Sequence, residues 1–160
     1  MAYCVFRSDL MSGTDDASAL VSCRVYDGNG DPIAVENGTL VELKGLEDGQ
    51  REVFKAVLAT ASSPKNVIAV IGTPEVMYDE RKKNLDEFIN EAGAICRGYI
   101  PRSRNKYSVT KEGFDGDLPA VGDMISISNG KHKVVASNGL AVCIAVEPTS
   151  RYTYYVIDVN

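Results

Sequence analysis

Asn-Gly dipeptides set between runs of alternating residues, at Asn37-Gly38, Asn129-Gly130 and Asn138-Gly139, constrain this chain more than any other feature. A two-residue turn with positive φ at both central positions suits Asn-Gly, and its twist matches that of two antiparallel strands. Residues 33–43 (IAVENGTLVEL) therefore read as a hairpin. Residues 124–128 (MISIS), 131–137 (KHKVVAS) and 140–147 (LAVCIAVE), joined by the other two dipeptides, read as a three-strand meander. Alternation places Ile125, Ile127, Val134, Ala136, Val142, Ile144 and Val146 on one buried face of it. Residues 152–159 (YTYYVIDV) supply a last strand.

Upstream the turn signals recur. Residues 21–26 (VSCRVY) lead into DGNGDP, where glycines supply positive φ and Pro32 sets a new start. Asp27, Asn29 and Asp31 imitate the opening of a calcium loop, but Pro32 stands where that loop needs Gly and Gly38 where it needs Glu, so a hairpin turn is expected. Residues 51–59 (REVFKAVLA) read as strand, and residues 66–72 (NVIAVIG) as a strand buried on both faces. Over residues 78–94, Leu85, Phe88 and Ile89 make an i, i+3, i+4 stripe with Gly93 as a stop, which predicts a helix. Strands follow at 94–100 and 106–110, separated by the basic loop PRSRN. The expected fold is mainly β, a β-barrel or β-sandwich with one short α-helix inserted near residues 79–92. Residues 1–30 read as an N-terminal arm and first strand, with a polar break at SGTDDAS, and residues 31–160 as a single β-rich domain.

Composition narrows function mainly by exclusion. A net charge of −5 does not suit a chain that tracks phosphate backbone with its whole surface, so nucleic acid is not an expected partner. No apolar run reaches 18 residues, and the first 16 lack the basic start and apolar core of a secretory leader, so synthesis in a cytoplasm is expected and a membrane is not. Cys4, Cys23, Cys96 and Cys143 form no CxxC pair and read as reduced, buried thiols; a disulfide would need an oxidising setting. His132 is the single histidine, and in Lys-His-Lys after a turn it reads as a surface residue, which leaves any serine or cysteine nucleophile without a base. GxSxG, GxxxxGK[ST] and GxGxxG patterns are missing, so no catalytic residue, metal or cofactor is expected. A glycosidase pair can be drawn from the 22 acidic residues, but only a separation measured in a cleft gives that idea content.

The segments ENGTLVELKGL, PEVMYDERKKNLDEFINEAGAICRGY and PAVGDMISIS together resemble small tailed-bacteriophage virion proteins of the head decoration or capsid cement type, over residues 35–160. The resemblance implies a barrel or β-tulip-like body on the outside of a phage capsid, bound to the major capsid protein as a homo-oligomer, trimer or dimer. Such a protein is a structural component of the virion that stabilises or decorates the head by burying area across many symmetric copies. Candidate partner contacts are Arg97, Arg102, Arg104 and Lys106, which with Lys111 form a local basic concentration on an acidic chain. Tyr3, Phe6 and Arg7 join them as part of an arm that lies on the shell or adds a strand to a neighbour. The alternative is a small, non-enzymatic carbohydrate- or ligand-binding β-domain, with Tyr152, Tyr154 and Tyr155 as contact surface.

Overall fold

A computed structural model of the chain describes residues 2–7, 19–79, 81 and 84–160. Eleven strands lie among them: β1 (Phe6–Arg7), β2 (Leu20–Tyr26), β3 (Leu40–Leu46), β4 (Val53–Leu58), β5 (Ile68–Ile71), β6 (Cys96–Tyr99), β7 (Lys106–Val109), β8 (Met124–Ser128), β9 (Lys131–Val135), β10 (Ala141–Pro148) and β11 (Thr153–Val159). They pair into two layers. One is a closed barrel in the order β2-β4-β3-β5-β6, and the other a six-stranded sheet in the order β1-β7-β11-β10-β8-β9. Every pairing is antiparallel except β2 with β4, which runs parallel from Ser22 opposite Val53 to Tyr26 opposite Val57.

Five strands leave a narrow lumen, and small or β-branched side chains fill it: Cys23, Val25, Val41, Ala56, Ala69 and Ile71 are among those buried there. Gly98 on β6 lies at the closing seam, where a Cβ would stand 3.0 Å from Val21 Cγ2 and 3.3 Å from Ala69 Cβ. Both faces of β5 are covered, which is why its sequence is continuously apolar. Ala69 and Ile71 join the lumen cluster, while Ile68 and Val70 join a second core between barrel and sheet. Phe6, Tyr107, Val109, Ile125, Cys143, Tyr155 and Ile157 complete that second core.

The strands expected at 51–59, 66–72, 94–100, 106–110 and 152–159 are β4, β5, β6, β7 and β11. The turn at 27–32 closes a bridge between Tyr26 and Pro32, and the Asp27 carboxylate accepts the N–H groups of Asn29 and Asp31, each at 2.9 Å. The helix near residues 79–92 is not formed; among the described residues there, the one helical element is a three-residue 3-10 turn, Leu85–Glu87. Glu87 reaches back to accept the Asn84 N–H at 2.9 Å, and Phe88 then turns extended at φ −82° and ψ 133°. Asn90 exchanges backbone bonds of 2.9 and 3.0 Å with Val35, so long-range pairing overrides local helix propensity.

Three β expectations also change. Asn37-Gly38 is a turn but not a hairpin tip, since Val35 before it pairs with Asn90 and β3 after it pairs with β4 and β5. Asn129-Gly130 does deliver the β8–β9 hairpin, with Ser128 opposite Lys131. Asn138-Gly139 does not continue a meander: β10 crosses to the far edge of β8 and pairs there and with β11. That crossing is so close that a Cβ on Gly139 would lie 2.6 Å from Met124 Cβ. Along β10 the phase is also reversed, with Ala141 and Cys143 buried while Ile144 and Val146 are each 37% exposed. A register shift between Cys143 and Ala145 accompanies the reversal.

A division at residue 30 does not follow the layers. Cys4, Val5 and Phe6 are buried, Phe6 stands opposite Val109, and Val5 N–H donates to Thr110 Oγ1 at 3.0 Å. β2 is a barrel strand. The polar break at residues 12–18 lies outside the described residues. Among the described residues, no helix is long and apolar enough to cross a membrane.

Candidate functional site

On one side the two layers do not close on each other. A cleft of about 550 Å³ opens there, walled by Leu40 and Ile68 from the barrel and by Ile125, Ile127, Ala141 and Val159 from the sheet. The loop from Ile100 to Lys106 forms one lip. It is pinned on β11: the Arg104 N–H donates to Val159 O at 2.7 Å, the Arg104 guanidinium meets the Asp158 carboxylate at 3.0 Å, and the Arg102 N–H donates to Asn105 Oδ1 at 2.6 Å. Lys65, entering a 3-10 turn after Pro64, forms the opposite lip with Asn66, and its Nζ lies 3.5 Å from the Asn160 carbonyl.

At the floor His132 is 1% exposed, not on the surface as its Lys-His-Lys setting implied. Nδ1 lies 3.1 Å from the Gly113 carbonyl and Nε2 lies 2.8 Å from the Tyr107 hydroxyl. A carbonyl can only accept, so Nδ1 carries the proton and Nε2 accepts from Tyr107. Burial holds the imidazole neutral, down at about 4, against the opposing effect of the Gly113 bond, and burial pushes the Tyr107 hydroxyl up. With Phe114 and Tyr107 rings packed at 5.4 and 5.7 Å, both nitrogens are spent on holding the core together. Alternation along β9 carried the missed signal, since His132 lies two residues before Val134 and shares its face.

The four cysteines are free and buried, as their spacing implied. Burial raises the thiols of Cys4 and Cys23 to about 12 and that of Cys96 to about 11, and also raises that of Cys143, far from the thiolate range a nucleophile needs. Cys23 and Cys96 stand opposite each other across the β2–β6 seam. Among the described residues, no group of three or more His, Cys, Asp or Glu could hold a metal ion.

The seven candidate contacts separate in space. Arg102 lines the cleft, with Arg104 on the same lip and Lys106 at the start of β7. Arg97 is exposed on β6 and lies outside the cleft lining, its N–H donating to Thr73 Oγ1 at 3.1 Å. Phe6 is 7% exposed, between the rings of Tyr99 and Tyr107 at 5.9 and 5.8 Å, so it serves the core and not a partner. Arg7 lies over the Tyr154 ring at 4.7 Å and 3.8 Å from Glu147. Tyr3 is half-buried and donates its N–H to Asp86 O at 2.8 Å. Tyr154 and Tyr155 are also buried, which reduces the tyrosine contact surface to Tyr152, against Arg151 and Asp86.

A surface feature that sequence patterning missed lies between β5 and the 3-10 turn. Residues 73–79 run outside both layers without strand pairing, leaving Val76 58% and Tyr78 93% exposed. Asn37 anchors the base of this strap: buried to 2%, it donates to Thr73 O at 2.8 Å and accepts the Thr73 N–H at 3.1 Å. Asn90 Nδ2 donates to the same Asn37 carbonyl oxygen at 3.1 Å. No family model, curated protein or solved structure matches the chain.

Proposed function

We propose that this chain is a structural virion protein that binds the outside of a phage capsid, through the major capsid protein and as a symmetric oligomer, and stabilises or decorates the head. The strap carries the reading. Residues 74–79 open one of the three segments that carry the resemblance to decoration proteins, and the strap presents a β-branched residue and a tyrosine to solvent on an anchored backbone. An aromatic ring of this kind buries roughly 150–250 Å² when covered, and tyrosine is enriched among residues that dominate interfaces. Engagement of His132 and burial of all four thiols agree with a role in binding rather than reaction.

The test is binding of the purified chain to empty heads of the phage that encodes it, with Val76→Asp and Tyr78→Ala as variants. Both positions are solvent-exposed, so the fold is retained. Saturable binding at a fixed number of copies per capsomer, weakened about tenfold or more by either change, is expected. Failure of the unaltered chain to bind, or equal binding by both variants, overturns the reading. Point variants on the strap are used because residues 4–6 of the N-terminal arm belong to the core, so that truncating the arm would disturb the fold.

A further inference from the structure

A small side chain on the sheet leaves the inter-layer cleft open. Ala141 on β10, opposite Ile125 of β8 and on the same face, lines it where a longer residue would fill the space. Water gains little there, since each buried molecule needs two to four polar partners. Charge gives a second, independent observation. Lys65 and Arg102 line the mouth and, among the described residues, no Asp or Glu lines it, the nearby Asp158 carboxylate being paired with Arg104, although acidic residues outnumber basic ones by 22 to 17 in the chain. Asn66, Ser103 and Asn160 add amide and hydroxyl groups to the lining.

We propose that the cleft binds a medium-chain fatty acid, with the alkyl chain between the layers against Leu40, Ile68, Ile125 and Ile127 and the carboxylate at Lys65 and Arg102. The volume of about 550 Å³ suits a small ligand. Orientation follows from the floor: the polar atoms of His132 and Tyr107 are committed to each other and to Gly113, so the tail enters first and the head stays at the mouth. This inference goes beyond the capsid reading and does not rest on it.

Calorimetric titration of the full chain with decanoate and with decyltrimethylammonium tests it. Decanoate is expected to saturate one site per chain, and the cation with the same tail to bind about tenfold or more weaker. Lys65→Glu combined with Arg102→Glu alters two exposed positions, leaves the circular dichroism spectrum unchanged, and is expected to weaken decanoate by about tenfold or more. Ala141→Leu fills the cleft and is expected to abolish binding; if that variant does not fold, the rim variant decides. Absence of saturable decanoate binding overturns the proposal. So do equal affinities for anion and cation, or a rim variant that binds decanoate as the unaltered chain does.

Discussion

The barrel lumen and the inter-layer cleft are lined by similar residues, yet one is filled and the other holds about 550 Å³. In the lumen, Cys23, Ala56 and Ala69 are small because five strands leave no room for more, and Gly98 is smaller still where the seam closes. In the cleft, Ala141 is small while the facing layer stands away from it. Residue size alone therefore does not report packing; it must be read against the distance to the opposing backbone. The same Ala that completes one core leaves the other open.

Truncating the lumen gives the largest contrast. Ile71→Ala, at a side chain with no exposure, is expected to destabilise by about 4 kcal/mol, against about 2 kcal/mol for Ile127→Ala beside the cleft, as read from urea unfolding midpoints. Equal losses would mean that the cleft is closed in solution.

Acid is expected to act next, and on the inter-layer core. The unfolded His132 takes up a proton near pH 6.5, whereas the folded one refuses it until about pH 4. Stability is thus fully present above pH 6.5 and falls as the pH drops through that window, by about 3 kcal/mol in all. Comparing unfolding free energies of the unaltered chain and His132→Gln across pH 4–7 isolates this slope, and parallel curves would remove His132 from the account.

Overfilling separates the regions in the opposite sense. Gly98→Ala is expected to lower stability by about 2 kcal/mol, because the added methyl meets Val21 and Ala69 within 3.3 Å. Ala141→Val, next to open space, is expected to change stability by less than about 1 kcal/mol in either direction, measured by thermal melting. A Gly98→Ala variant as stable as the parent would show that the seam yields.

Much of the β content was legible because it follows from local chemistry: turn residues stop strands, and β-branched runs such as residues 68–71 extend between them. Pairing partners were not, because alternation says which residues share a face but not which strand lies beside which. The apolar stripe of Leu85, Phe88 and Ile89 satisfied a helical template, but the backbone of Asn90 found Val35. Asn37 matched a hairpin signature for reasons of turn geometry and served instead as a buried side-chain clamp for the strap. Of the cleft, alternation placed Ile125 and Ile127 on a buried face and the charge pattern marked Arg102 as basic surface, but the opening itself was not legible, since the walls come from five strands and the void between them has no residue of its own. His132 was in reach of a parity argument that its two lysine neighbours obscured.

Strand β7 lies between the first and the last of the described strands, β1 on one edge and β11 on the other. During synthesis, residues 4–7 leave the ribosome well before their partners exist. The bond from Val5 to Thr110 spans 105 residues, a wait of roughly 5–20 s at ordinary elongation rates. For that interval residues 4–6 are an unpaired apolar segment, and the sheet is completed only when β11 arrives. Termination between β6 and β7 would release a chain that has every strand of the barrel but no partner for β1.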